Sequence, residues 1–321
     1  MSITQRIDEI TLVSRERLKE ELPAPKSVKI EITGKCNYRC AFCALRLREE
    51  QPKSDMDLGL FRRLADEMRA AGVEELGLFF LGESFSAFDN LLIATKYAKR
   101  VCRFPYVFLT TNGSLAAPGR LRHLFNAGLD SLKFSINFAD SEQFSGICGV
   151  KDALYEKALN NLRQAKDVRD EVYAQTGHRC GLYASSIMYD GEQQKKMEKL
   201  LAERVLPFVD EHYWLPLYSM GSFATKREEE LGYRPIAGNQ GRIGALRQPL
   251  PCWSGFTEGH ITSSGKLSAC CFDASGAWEM SDLNTQSFLE GWNSLKFREL
   301  RRAHLEKNVK GTICENCLAY S

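Results

Sequence analysis

Between residues 28 and 217 short apolar runs alternate with longer amphipathic stretches, and this alternation limits the folds open to the chain. The runs 28–33, 75–81, 106–111, 131–136, 181–188 and 212–217 read as strands, the first, SVKIEIT, opening one residue earlier. The stretches 57–71, 90–102, 117–127, 151–175 and 190–206 read as helices. Within 57–71, Leu60, Leu64, Met68 and Ala71 recur at helical spacing, and Gly72 follows as a stop signal. Such strand–helix repetition specifies an α/β fold with a parallel sheet covered by helices. Six strands are too few for the eight-stranded closed barrel, which leaves an open partial barrel or a doubly wound sheet. In both, ligands gather at the C-terminal ends of the strands.

The flanks differ in character. Residues 1–26 read as a charged amphipathic helix packed outside the main domain, with Ile7, Ile10, Val13 and Leu18 turned inward. Residues 27–218 form the core. Residues 219–250 carry Gly221, Gly232, Gly238, Gly241, Gly244, Pro235, Pro249 and several arginines, and read as a linker or a long functional loop. Residues 251–321 form a small cysteine-bearing unit, a size that often needs a metal or another staple.

Composition removes several classes. With 44% hydrophobic and 26% charged residues the chain is an ordinary globular protein. Its longest apolar runs, such as 76–81, are too short to cross a bilayer. A net charge of +2 gives no reason to expect nucleic acid or an anionic membrane as partner. The N-terminus is studded with charge and has no apolar stretch of the kind that directs export, so a cytoplasmic location is expected.

In such a reducing compartment structural disulfides are rare, and eleven cysteines, an odd number, cannot all pair. Clustered cysteines there read as metal ligands or reactive thiols. Cys36, Cys40 and Cys43 form C-x3-C-x2-C directly after the first strand. Three thiolates on one loop suffice for three irons of a [4Fe–4S] cube and leave the fourth iron open to chemistry. Structural zinc wants four ligands, and no histidine accompanies these three.

The stretch EITGKCNYRCAFCALR resembles the signature loop of the radical SAM superfamily, with Phe42 as the aromatic residue before the third cysteine. FFLGES (79–84) is similar to that family's GGE-type motif, although Leu81 replaces the first glycine and Ser84 the usual proline. LTTNG (109–113) and SLKFSIN (131–137) resemble the motifs of the third and fourth strands. The resemblance covers about residues 28–217 and implies a partial (β/α)6 barrel. It implies that S-adenosylmethionine chelates the open iron, with Gly82 and Glu83 at its amine. Asn112 joins the cofactor contacts, Ser135 and Asn137 serve its carboxylate or ribose, and Phe42 lies near its adenine. It further implies reductive cleavage to a 5′-deoxyadenosyl radical that abstracts hydrogen from a C–H bond, with a flavodoxin- or ferredoxin-type reductant supplying electrons.

Cys252, Gly265, Cys270, Cys314 and Cys317 resemble a C-terminal SPASM-type domain, in the shortened twitch-like form with one auxiliary [4Fe–4S] cluster, because the sequence stops four residues after Cys317. Two clusters are thus expected. The stretch 262–266 reads as a hairpin turn that brings Cys252 and Cys270 together. Four thiolates leave no open iron, so this cluster is expected to move electrons or brace structure. Tetrahedral zinc also suits four cysteines with one C-x2-C.

Cys271 adjoins one of these ligands. Small epimerases of the superfamily use a protein thiol to return hydrogen to a substrate radical, and Cys270–Cys271 resembles that arrangement. The alternative for Cys271 is a buried small hydrophobe. Cys148, in a GICGV loop after the fourth strand, is a second donor candidate, while Cys102 and Cys180 are packing residues. His212 is packed or solvated at a strand edge. Arg298, Arg301 and Arg302 form a solvated face of the last helix, and 227–230 is a surface charge run.

The expected substrate is a carbohydrate-like molecule, a cyclitol or a peptide. No recognisable peptide-recognition domain precedes the core, which weighs against a leader peptide. The expected reaction is epimerisation with Cys271 as donor. The alternative is dehydrogenation of a secondary alcohol with the auxiliary cluster as electron acceptor, as the resemblance of the four-cysteine pattern to aminocyclitol dehydrogenases implies. A reading from another class is a non-catalytic metal-binding module, for which Leu81 and Ser84 leave room.

Overall fold

The computed structural model describes residues 1–43, 45, 54–220, 235–273 and 278–317. Gly221, Gly232 and the charge run 227–230 lie outside the described residues. Six strands, β1 (Ser27–Ile30), β2 (Glu75–Gly77), β3 (Tyr106–Thr111), β4 (Ser131–Ser135), β5 (Gly181–Ile187) and β6 (Glu211–Leu215), pair only in parallel. On the other side of β1, β7 (Glu258–Ile261) adds in parallel, followed by the antiparallel β8 (Lys266–Ser268) and β9 (Glu279–Asp282). The sheet order is β6-β5-β4-β3-β2-β1-β7-β8-β9. The C-terminal residues therefore extend the sheet of the core.

Side-chain alternation assigns the two faces of the sheet. Val28, Ile30, Leu76, Val107, Leu109, Leu132, Phe134 and Leu182 are buried in the apolar core. The neighbours between them, Lys29, Phe108, Lys133 and Tyr213 among others, line an interior cavity that also touches β2 and β7. Walls drawn from strands across the sheet make it a partial barrel. Helices cover the outside: α2 (Leu58–Ala70), α3 (Phe88–Lys96), α4 (Pro118–Ala127), α5 (Ser141–Cys148), α6 (Ala153–Thr176) and α7 (Gly191–Arg204). Asp57 caps α2 by accepting the Leu60 N–H, and Phe61, Leu64 and Met68 form its buried face. Each such side chain contributes roughly 1.5–3 kcal/mol of apolar burial. Pro118 opens α4, and Gly128, at φ 98°, ends it.

Several expectations need correction. The N-terminal segment is not one helix. Only α1 (Ile3–Ile10) is helical, followed by a short turn at Arg15–Arg17, and Leu18 is 43% exposed. Nor does α1 pack outside the barrel. Ile3, Ile7 and Ile10 line the interior cavity, and the Ile3 N–H donates to the Glu211 carboxylate at 2.9 Å. The helix plugs the barrel at the N-terminal ends of the strands. The helix expected over 90–102 is α3, which runs on into a π turn, Tyr97–Val101. Cys148 is not in a loop: it is the last residue of α5 and fully buried. Arg301 does not belong to a solvated face. It is fully buried in the helix Leu295–Leu305 and stacks its guanidinium 4.4 Å above the Trp292 ring. It donates to the carbonyls of Gly255, Glu20 and Trp292. Burial, together with the charge of Arg17, lowers its pKa to about 9.

Candidate functional site

The loop carrying Cys36, Cys40 and Cys43 leaves the C-terminal end of β1 and is held from two sides. From below, the C-terminal turn of α5 clamps it: the Arg39 N–H donates to the Cys148 carbonyl and the Ala41 N–H to the Ile147 carbonyl. The Cys148 Sγ lies 3.4 Å from the Cys40 Sγ. Cys148 therefore sits against the cysteine loop and is not among the residues that line the interior cavity.

From the side, Gly82 supports the loop. A β-carbon at Gly82 would stand 1.9 Å from the Thr33 carbonyl oxygen and 2.9 Å from that of Lys35. The Glu83 N–H donates to the Lys35 carbonyl at 2.8 Å. Glu83 is buried, and its carboxylate accepts the Thr111 hydroxyl at 2.8 Å, the Asn112 N–H at 2.7 Å and the Phe85 N–H at 3.3 Å. Burial raises its pKa despite these hydrogen bonds. Asn112 in turn donates through Nδ2 to Asn37 of the cysteine loop at 2.9 Å. Three sequence-separated motifs thus meet at one place. The Ser84 hydroxyl donates to the Leu78 carbonyl at 2.7 Å, so the turn closes with serine at this position.

Asn112, Ser135 and Asn137 line one narrow cleft together with Tyr38, Phe138 and Phe144. Phe42 stacks on Phe138, with centroids 6.0 Å apart and planes inclined by 22°. The structure therefore gathers Phe42, Gly82, Glu83, Asn112, Ser135 and Asn137 around the cysteine loop. His212 is packed: its ring meets Trp214 edge-on, and its Nε2 lies 3.0 Å from the Ser186 hydroxyl.

Sequence reasoning missed Glu31. Its buried carboxylate accepts the N–H groups of Leu81 and Gly82, both at 3.2 Å. The other oxygen accepts the N–H and hydroxyl of Ser263 at 3.0 and 2.9 Å. One residue thereby ties the Gly82 turn to the C-terminal hairpin. The only signal for it in the sequence was an acidic residue inside an apolar run.

The hairpin over 262–266 forms as expected, with the Thr262 N–H donating to the Lys266 carbonyl and Gly265 at φ 78°. The Asn239 carbonyl lies 3.8 Å from the Cys252 Sγ, and its Nδ2 donates to the Cys270 Sγ at 3.6 Å. His304, also missed, bridges the set. The Cys252 N–H donates to its Nδ1 at 3.1 Å, which leaves the ring proton on Nε2, 3.4 Å from the Cys314 Sγ. Cys317 joins Cys314 through a tight turn, its N–H donating to the Cys314 carbonyl. Burial pushes the Cys314 thiol up, and the charges of Cys252, Cys270 and Cys317 add to this. Burial likewise pushes up Cys36, with Glu83, Cys40 and Cys43 adding. Thiols so deprived of solvent ionise only beside a compensating cation, which iron supplies. Both sulfur sets fit iron–sulfur ligation by their donor chemistry.

Cys271 bonds to Cys270 of this set and also lines the cavity of about 220 Å3, with Asn239, Tyr218 and Phe272. Its hydrogen bond to Cys270 and its burial both keep the thiol protonated.

Comparison with known proteins places these features. A family model described as the radical SAM superfamily matches residues 30–201. A second, described as an iron–sulfur cluster-binding domain (SPASM), matches residues 252–318. The PqqA peptide cyclase of Methylobacterium nodulans is 30% identical over 136 residues, which span 42% of this chain and 35% of the relative. A GTP 3′,8-cyclase of Chlorobaculum tepidum is 29% identical over 120 residues, 37% of this chain and 35% of the relative. The match thus spans about a third of the length of these curated relatives. Among solved structures, Streptococcus suis SuiB bound to the precursor peptide SuiA has a TM-score of 0.64 at 15% identity, covering 94% of this chain and 71% of that one. BtrN in complex with AdoMet and 2-DOIA has a TM-score of 0.53 at 16% identity, covering 88% and 87%. No helix among the described residues is long and apolar enough to cross a membrane. The radical SAM domain implies a [4Fe–4S] cluster and S-adenosylmethionine, and the SPASM domain implies further iron–sulfur ligation. The chain belongs to the radical SAM superfamily and is a radical SAM enzyme with a C-terminal SPASM domain.

Proposed function

We propose that this enzyme abstracts a hydrogen atom from a carbon of a carbohydrate-like, cyclitol or peptide substrate and restores hydrogen from Cys271, inverting that carbon. The observation that carries this reading is the position of Cys271, on the wall of the interior cavity and next to Cys270. Cys36, Cys40 and Cys43 would hold the first cluster, and Cys252, Cys270, Cys314 and Cys317 the second. When bound, the first cluster and S-adenosylmethionine supply a 5′-deoxyadenosyl radical, made by one-electron cleavage of a carbon–sulfur bond. Gly82 and Glu83 are assigned to the methionyl amine, Asn112, Ser135 and Asn137 to the carboxylate and ribose, and Phe42 to the adenine.

The chain's own part is positioning and hydrogen return. The substrate hydrogen leaves as part of 5′-deoxyadenosine. The substrate radical then takes a hydrogen atom from the Cys271 thiol on the opposite face. The sulfur radical left behind returns to thiol by gaining one electron, from a flavodoxin- or ferredoxin-type reductant, and one proton from solvent.

Anaerobic turnover in deuterium oxide with pools of candidate sugars, cyclitols and peptides tests the reading. A product that carries one solvent deuterium at the inverted carbon supports it. A product lighter by two hydrogens and without label establishes dehydrogenation instead. Inversion by Cys271→Ala protein removes Cys271 from the role.

A further inference from the structure

The interior cavity holds more charge than the hydrogen transfer uses, and the pairing of that charge is uneven. Arg6 meets Glu75 at 2.9 Å, Lys29 meets Glu258 at 2.7 Å, and Arg242 meets Asp8 at 2.8 Å. Each of these cations is neutralised. Lys133, on β4, also lines the cavity. Its Nζ lies 5.8 Å from the centroid of the Tyr213 ring, and among the described residues it has no ion pair or hydrogen bond. The rest of the wall is largely aromatic, with Phe79, Phe108, Tyr218 and Phe272.

Lys133 is half-buried, and an ammonium held on an aromatic wall without a counter-ion is less favourable there than in open water. Burial and the nearby charge of Lys29 lower the pKa of Lys133 to about 7, a second sign that nothing in the fold compensates it. An anion entering the cavity would supply the missing partner.

We infer that Lys133 receives a carboxylate of the substrate, so that the enzyme acts on a compact, monoanionic molecule or side chain whose apolar body rests on the aromatic wall. This deepens the proposed function and rests on it for the substrate's place in the cavity. One unpaired cation balances one negative charge, whereas a phosphate dianion would bury a second charge uncompensated. Lys133 lies two residues before Ser135 on the same strand and shares the cavity with Cys271. A carboxylate held by Lys133 therefore fixes the substrate on the wall that Cys271 also lines.

The test uses the anaerobically reconstituted holoenzyme with S-adenosylmethionine bound and three probes of one shape: benzoate, benzamide and phenyl phosphate. Calorimetric titration is run below neutral pH, where Lys133 carries its proton. Benzoate is expected to bind about tenfold more tightly than benzamide and phenyl phosphate. Lys133→Arg is expected to keep this preference, and Lys133→Met to bring benzoate to within about twofold of benzamide. Equal binding of benzoate and benzamide, failure of benzoate to bind at millimolar concentration, survival of the preference in Lys133→Met, or tightest binding of phenyl phosphate overturns the inference. Iron content and cleavage of S-adenosylmethionine are measured on the same preparation. Loss of those with the benzoate preference intact contradicts the radical reading while leaving the anion site standing.

Discussion

Gly82 and Thr33 pack backbone to backbone, so closely that a methyl group on Gly82 would lie 1.9 Å from the Thr33 carbonyl oxygen. The turn that follows β2 thereby sets where the cysteine loop begins. Backbone atoms on both sides leave no flexible side chain to give way. Gly82→Ala is therefore expected to displace the first loop while sparing the C-terminal sulfur set. Reconstituted iron should fall from about eight to about four per chain. Iron analysis with electron paramagnetic resonance checks this, and unchanged iron at both sites would contradict it.

Glu31 accepts four hydrogen bonds in a buried place. Glu31→Gln keeps one acceptor oxygen but turns an NH2 group toward N–H or hydroxyl donors. A loss of about 2–3 kcal/mol in unfolding free energy is expected, measured by denaturant titration. Because the residue joins the Gly82 turn to the Ser263 hairpin, the variant should also disturb the spectra of both clusters. A variant as stable as the parent would show that the bridge contributes nothing.

Lys133 gives a pH-dependent expectation. Its folded pKa, about 7, lies below its ordinary value of 10.5. At a pH below 7 the residue is charged in both the folded and unfolded states, and folding bears the cost of its partial burial. As pH rises from 7 toward 10.5 the unfolded chain binds more protons than the native one, so stability rises with pH in that window. Lys133→Met should be more stable than the parent by about 1–3 kcal/mol near neutral pH. That difference should shrink as pH rises. A methionine variant less stable than the parent at neutral pH would contradict this.

Arg301 fastens three segments by donating to Gly255, Glu20 and Trp292 carbonyls. Arg301→Lys keeps the charge but cannot reach three carbonyls from one planar fork. A loss of about 2–4 kcal/mol is expected from the unsatisfied carbonyls, with loosening of the N-terminal segment seen by hydrogen exchange. Wild-type stability would show that the planar fork is not required.

Much of the barrel was legible because the outward faces of β1 to β6 are apolar and the turns between them carry strong signals. Cys36, Cys40 and Cys43 are legible because ligands on one loop are close in sequence, whereas Cys252, Cys270, Cys314 and Cys317 are spread over the C-terminal region and stand out only through their resemblance to a SPASM-type pattern. What escaped the sequence is what depends on distant partners. Glu258 and His260 alternate with Gly259 and Ile261, a polar pattern that does not read as a core strand, yet both are buried because Glu258 meets Lys29 and His260. Arg301 reads as solvated until Trp292 and three carbonyls surround it. Helix α5 was missed because Gly146 and two serines interrupt its pattern, and with it went the position of Cys148 against Cys40. The inward role of α1 is invisible in its own residues, since an apolar face does not say which surface it covers.

The most direct measurement is made on anaerobically reconstituted protein given a low-potential reductant and S-adenosylmethionine, with 5′-deoxyadenosine and methionine quantified together. Equimolar release of the two by the parent, and none by a Cys36→Ala variant, is the expected result. Full iron occupancy without any 5′-deoxyadenosine would contradict the account.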